Sequence, residues 1–138
     1  MSSGRLKGLL IKHEGLKLKP YYDTVGKLTI GVGRNLDDVG ISEHEAMVML
    51  ENDIGIAESK ADQVFPWFRK LNPARKDVII SMIFNLGLSG FINFKKMIKS
   101  LEQLDYNQAS IEMIDSLWAK QVGNRAVELS NMMKTGFY

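Results

Sequence analysis

Leu6, Leu9, Leu10 and His13 recur at helical spacing, so residues 4 to 14 are predicted to form a short amphipathic helix with His13 partly buried. Gly15 follows as a natural C-terminal cap. The pattern then changes period. Leu28, Ile30 and Val32 alternate with Thr29, Gly31 and Gly33, and residues 18 to 36 are predicted to form a small antiparallel sheet. Pro20 suits an edge or a strand start, and Val25-Gly26 suits a turn in which Gly26 takes positive φ. The apolar set is expected to face a core. Thr29 and the bare glycine backbone are then on the opposite face, where Gly31 and Gly33 permit close approach.

Asp37 to Gly40 has the composition of a polar turn, and Ser42-Glu43-His44-Glu45 has the form of a capping box. Ala46, Leu50, Ile54, Ala57 and Ala61 continue at a spacing near four, with Met47, Val48 and Met49 broadening the apolar face, and predict a connecting helix over 43 to 62. Gly55 weakens its middle by up to about 1 kcal/mol relative to alanine and suggests a bend or a close helix contact. Phe65-Pro66-Trp67-Phe68 fits a hydrophobic plug better than a platform for sugar rings. Asn72-Pro73 is a helix start. From Val78 to Phe84 the next helix is apolar on nearly every side, which makes it the buried spine of a helical lobe, and Gly87 ends it. Three further helices are expected. The first carries Phe94, Met97, Ile98 and Leu101. The second is capped at Asp105 and runs through Ala109, Met113 and Leu117. The third is capped by Asn124, carries Val127, Leu129, Met132 and Met133, and stops at Gly136.

Composition narrows the classes. A chain of 138 residues is one domain by length, able to bury roughly two-thirds of its unfolded surface. Its 18 basic and 16 acidic residues leave a net charge of +2, too mild to point to nucleic acid. There is no cysteine and there are two histidines, so neither a disulfide framework, a thiol nucleophile nor a metal site is expected. The apolar run Leu9 to Ile11 is too short for a secretory h-region, and no window is long enough for a membrane span. The eight methionines read as core filler.

The candidate chemistry lies in residues 13 to 36. Glu14 closes the first helix, Asp23 sits where the chain turns, and Thr29 lies on the return strand. Two carboxyl groups held across a cleft are what glycosidic cleavage needs, one as acid and one as base or charge stabiliser. By spacing alone, Glu14 as an ordinary helix-end carboxylate and Asp23 as a turn residue bonding its own backbone are the stronger readings.

The complete string changes that balance. E-G-x-x-L-x-x-Y-x-D from Glu14 to Asp23, followed by T-I-G-x-G from Thr29, resembles the active-site segment of the phage-type lysozymes. M-I-F-N-L-G at 82 to 87 and W-A-K-Q-V-G-N-R-A at 118 to 126 resemble that family's cleft-facing segments, so the likeness covers about residues 5 to 135. The resemblance implies an α+β, lysozyme-like fold over 1–138, with a sheet lobe at about 14–45, a connecting helix at 46–64 and a helical lobe at 65–138 that also takes in helix 4–13. It implies an inverting muramidase with catalytic Glu14, Asp23 and Thr29. Gly31, Phe84, Asn85, Trp118, Gln121 and Arg125 would bind or border substrate, with Arg125 pairing near Glu14. Asn85 stands where a glutamine is common, and Arg34 where relatives often carry a histidine. Arg34 can pair but cannot titrate near neutrality. The implied partner is bacterial peptidoglycan, met by a monomer without cofactor, metal, nucleic acid or stable membrane insertion. The implied location is the host cytoplasm before lysis and then the periplasm, reached by a holin-type route. A lytic transglycosylase and a non-catalytic wall-binding phage module are the alternatives.

Overall fold

Gly15 stops the first helix as expected, with φ +81 and its N–H donating to the Ile11 carbonyl at 2.8 Å. The computed structural model describes residues 4–138. Its elements are α1 (Gly4–Glu14), β1 (Lys17–Tyr22), β2 (Leu28–Gly31), β3 (Arg34–Asn35), α2 (Glu43–Val64), a 3-10 turn (Pro66–Lys70), α3 (Pro73–Ile92), α4 (Lys95–Glu102), α5 (Tyr106–Ile114), α6 (Leu117–Val122) and α7 (Asn124–Thr135). This is the expected α+β architecture, with a small antiparallel sheet lobe and a larger helical lobe joined through a connecting helix. The chain divides into two compact units, the first ending at Met49 and the second Leu50–Tyr138.

In the first unit the strands lie in the order β1-β2-β3, so β1 is an edge. Pro20, which has no N–H to donate, sits in that edge strand within the stretch between Lys17 and Tyr21 where the register shifts. The turn predicted at Val25-Gly26 is present, with Gly26 at φ +83 and its N–H on the Asp23 carbonyl at 3.0 Å. The faces of β2 differ from expectation. Thr29 is the buried residue at 3% exposure, while Leu28 and Ile30 are half-buried and Val32 is exposed. Thr29 sits on the central strand, in register with Tyr21 on one side and Asn35 on the other. His13 is exposed rather than partly buried, as is the rest of α1's described surface.

The capping box at the start of α2 is complete. Glu45 N–H donates to Ser42 Oγ at 3.1 Å, and Ser42 N–H donates to Glu45 Oε1 at 2.9 Å. Gly55 makes no close helix contact, since nothing lies within 4 Å of where its Cβ would be.

The core of the second unit is built on α3. Val78, Ile79, Met82 and Ile83 are buried on successive faces, while Phe84, expected to be buried with them, is 47% exposed. Asn72 Oδ1 accepts from Arg75 N–H at 3.0 Å and Pro73 opens the helix, as predicted. Gly87 breaks the helical path at φ 74 and ψ 164, and the chain resumes helix to Ile92. The aromatic plug is confirmed: Phe65, Trp67 and Phe68 are all buried. A chain of ring contacts runs from Trp67 through Phe65, Phe91 and Phe94 to Trp118. After α3 there are four helices among the described residues, one more than expected. The predicted run from Asp105 through Leu117 stops at Ile114, because Ser116 turns the chain and caps α6, accepting from Ala119 N–H at 3.1 Å. Asn124 is the first residue of α7 rather than its cap, a position taken by Gly123 at φ 59.

Candidate active site

The turn from β1 to β2 is held by the backbone of Lys27. Its N–H donates to Asp23 Oδ1 at 2.8 Å, and Val25 N–H donates to the same oxygen at 3.0 Å. The Lys27 carbonyl accepts from Asp23 N–H and from Thr29 Oγ1, each at 2.9 Å. The backbone N–H and carbonyl of one residue, Lys27, therefore orient the Asp23 carboxylate and the Thr29 hydroxyl respectively. Asp23 does bond its own backbone, but only one of its oxygens is occupied in this way. The next loop braces the turn from outside: Asp37 accepts from Leu28 N–H at 2.8 Å, and Asp38 meets Lys27 Nζ at 3.3 Å.

Glu14 reaches the other end of β2. A Cβ built on Gly33, in the β2–β3 turn, would lie 2.7 Å from Glu14 Oε2. The end of α1 thus meets the hairpin through a carboxylate resting on bare backbone. Gly31, at φ +70, has nothing within 4 Å of its Cβ position. Beyond the turn, Arg34 grips Glu45 with two 2.8 Å contacts and donates to the Gly40 carbonyl at 3.2 Å. These bonds, Arg34 first and Ser42 N–H next, hold the Glu45 carboxyl down to about 2.

The remaining candidates lie in the second unit. Phe84 lines two open grooves of about 320 and 370 Å³. Trp118 is 4% exposed and donates from its indole N–H to Asn85 Oδ1 at 2.9 Å, so it fixes an exposed amide while its ring packs edge-on against Phe94. Gln121 is exposed on α6. The Arg125 guanidinium reaches Ser81, at 3.3 Å from its hydroxyl and 3.5 Å from its carbonyl. Another groove in this unit, about 490 Å³, runs past Phe94, Glu112, Ser116 and Trp118 and contains none of the three catalytic candidates.

The phage lysozyme family profile matches residues 11–134, a span that takes in every one of these positions. The chain belongs to the phage lysozyme family. A muramidase-type, glycoside-hydrolase function comes with that membership. Among similar proteins, a probable T4-type lysozyme 2 of Dictyostelium discoideum is 29% identical over 95% of this chain and 94% of its own length. An endolysin of Acyrthosiphon pisum secondary endosymbiont phage 1 is 30% identical over 93% of this chain and 88% of its own. The pre-baseplate central spike protein Gp5 of Enterobacteria phage T4 is 27% identical over 93% of this chain but 27% of its own length.

Within this phage lysozyme, the contacts of the Lys27 backbone, Ser81 and Glu45 are not predicted from the sequence, whereas the close approach at Gly33 is. The Lys27 backbone and the Ser81 contact leave no trace in side-chain pattern. Gly33 was grouped with Gly31 because both stand in T-I-G-V-G, and only geometry separates them. Glu45 was legible as a capping residue but not as the partner of Arg34, since the pair is 11 residues apart. Among the described residues no single helix is long and apolar enough to cross a membrane.

Proposed function

We propose that this chain hydrolyses the β-1,4 bond between N-acetylmuramic acid and N-acetylglucosamine in bacterial peptidoglycan, with inversion, as a lysis enzyme. The observation that carries the proposal is the Lys27 backbone, whose N–H holds the Asp23 carboxylate and whose carbonyl holds the Thr29 hydroxyl. Thr29 spends its proton on the Lys27 carbonyl, so toward a water it acts only as acceptor. A water between the two groups gives one proton toward the free oxygen of Asp23 and the other hydrogen bond to Thr29. Its remaining lone pair then faces the anomeric carbon. As the new C–O bond forms, Asp23 takes the water proton, Glu14 gives its proton to the leaving glycosidic oxygen, and the old C–O bond breaks. Solvent exchange returns both carboxyls to their starting states. This two-carboxylate reaction needs no metal or cofactor.

The second unit supplies the substrate wall in this proposal. Phe84 offers surface to sugar rings there, and Gly31 does so from the first unit. Asn85 and Gln121 offer amides to the acetamido and hydroxyl groups, with Trp118 holding Asn85 in place. Arg125 supports that wall through Ser81. The enzyme acts as a monomer, waits in the host cytoplasm and reaches the wall through a holin-type pore.

The test is digestion of purified peptidoglycan, following product anomers by NMR and fragment masses by mass spectrometry. Inverted reducing ends carrying one added water are expected. Retained configuration overturns the inverting mechanism. Anhydro ends lighter by one water identify a transglycosylase, and binding without new ends identifies a non-catalytic module.

A further inference from the structure

Gly33 and Gly40 have nearly the same φ, +67 and +66, and differ in what surrounds them. At Gly40 the nearest atom to a built Cβ is the Leu36 carbonyl oxygen at 4.0 Å. At Gly33 the same position is filled by Glu14: Oε2 at 2.7 Å, Cδ at 3.2 Å and Cγ at 3.3 Å. Real Cβ atoms do not sit that close to an oxygen, so a side chain at Gly33 and the present position of the Glu14 carboxylate exclude each other. The group that yields is decided by stiffness. The β2–β3 turn is tied by the pairs Ile30 with Arg34 and Thr29 with Asn35, and Arg34 is anchored in turn by Glu45. Glu14 is exposed at the last residue of α1, at the end of a side chain with three rotatable bonds. The carboxylate swings away and the hairpin stays.

We propose that Gly33 is a positioning residue for Glu14: its bare backbone is the surface against which the proton-donating carboxyl rests. The proposal builds on the reading of Glu14 as general acid. It separates the two glycines of T-I-G-V-G by role. Gly31 leaves open space, whereas Gly33 leaves space that a catalytic group occupies.

The test compares Gly33→Ala with Gly40→Ala, at a temperature at which both are folded, on isolated peptidoglycan glycan strands. Both variants force alanine into the left-handed region and should lose similar amounts of melting temperature. Gly33→Ala should lose kcat on the order of 10²-fold with KM little changed, the effect of shifting a reacting group by about 1 Å. Gly40→Ala should keep wild-type kcat. The carboxyl-carbon NMR signal of Glu14 should move in Gly33→Ala and stay in Gly40→Ala. A Gly33→Ala enzyme with the kcat and the Glu14 signal of Gly40→Ala overturns the proposal. A Glu14→Gln arm separates the two levels. If Glu14→Gln stays active, the general-acid reading fails and the positioning role falls with it. If Glu14→Gln is inactive while Gly33→Ala keeps its kcat, only the positioning role fails.

Discussion

The guanidinium of Arg34 meets the carboxylate of Glu45 through two parallel contacts of 2.8 Å. This fork joins the hairpin to the first turn of α2, and Glu45 is at the same time the N3 residue of the capping box. Its carboxyl is lowered to about 2 in the folded chain against an ordinary 4.5, chiefly by the Arg34 hydrogen bonds. A depressed carboxyl contributes stability that is fully present above the unfolded value and is lost as pH falls through the folded one. The advantage in melting temperature of the wild type over Glu45→Gln is therefore expected to be constant above about pH 5 and to shrink from there toward pH 2. Arg34 keeps its charge throughout, so Arg34→His should add a second dependence, with the pair weakening above roughly pH 6.5 as the imidazole loses its proton. Melting curves across pH for the three proteins check both statements. A wild-type advantage that does not change with pH contradicts the first.

Asp23 has two functions that substitution can separate. Asparagine keeps an oxygen for the N–H groups of Lys27 and Val25, so the turn should survive Asp23→Asn. The same change removes the carboxylate that takes the water proton in the proposed mechanism. Loss of activity on the order of 10² to 10⁴-fold is expected, with a melting temperature close to wild type. Asp23→Ala removes both functions and should lose activity equally while costing about 1 kcal/mol in stability, the ordinary worth of a turn-closing hydrogen bond. Paired turnover and thermal-melt measurements distinguish the outcomes. If Asp23→Asn keeps its turnover, the carboxylate is only a turn residue.

Much of this fold could be read from local chemistry, because local signals set it. Gly15, Gly26, Asn72-Pro73 and the Ser42–Glu45 box each act through a neighbour within four residues, and each appears where the sequence predicts. The failures have two causes, a neighbour on another strand and a local cap that the helical pattern conceals. Alternation along β2 assigns Thr29 to the open face, but on the central strand, between Tyr21 and Asn35 in register, it is buried. The stop after Ile114 depends on Ser116, whose hydroxyl donates back to the Met113 carbonyl at 2.7 Å and accepts from Ala119 N–H, a cap with no distinctive spacing in an otherwise helical pattern. At the site, the motif names Glu14, Asp23 and Thr29, whereas the contacts that orient them pass through backbone atoms of Lys27 and Gly33. The Lys27 backbone carries no residue signature, so a sequence cannot show it, while the glycine at 33 marks a close approach without naming Glu14 as the group that makes it.

Trp118 tests whether a buried residue can influence substrate without touching it. Its indole N–H is committed to Asn85 Oδ1 at 2.9 Å. Trp118→Phe keeps most of the packing against Phe94 and removes that bond. Stability should fall by about 1–2 kcal/mol, combining one hydrogen bond with a small loss of volume. If Asn85 contacts glycan as proposed, its freed amide should raise KM with kcat nearly unchanged. Asn85→Ala should then have the same effect on KM, and the double variant should be no worse than either single change. Additive losses would show that Trp118 acts on substrate by another route.

Arg75 joins the start of α3 to the end of α7. Its Nε donates to the Met133 carbonyl at 2.7 Å and one Nη to the Lys134 carbonyl at 3.0 Å, while its plane lies 3.9 Å over the Tyr106 ring. Beside it, Asn72 Nδ2 donates to the Gly136 carbonyl at 2.9 Å. The last carbonyls of α7 have no intrahelical donors, and a fixed cation there also answers the helix dipole. Lysine keeps the charge but cannot span two carbonyls and stack on a ring at once. Arg75→Lys is expected to cost about 1–2 kcal/mol and Arg75→Ala about 2–3 kcal/mol, the second having lost the charge as well as the fork. Gly136, at φ +77, packs so closely that an added Cβ would lie 2.8 Å from Asn72 Nδ2 and 3.0 Å from Arg75 Nη1. Gly136→Ala should therefore weaken the same junction, and combining it with Arg75→Ala should cost less than the sum of the two. Urea unfolding of the four variants beside the wild type measures each loss. Strict additivity would mean that Gly136 is held only by its own backbone conformation and not by the arginine beside it.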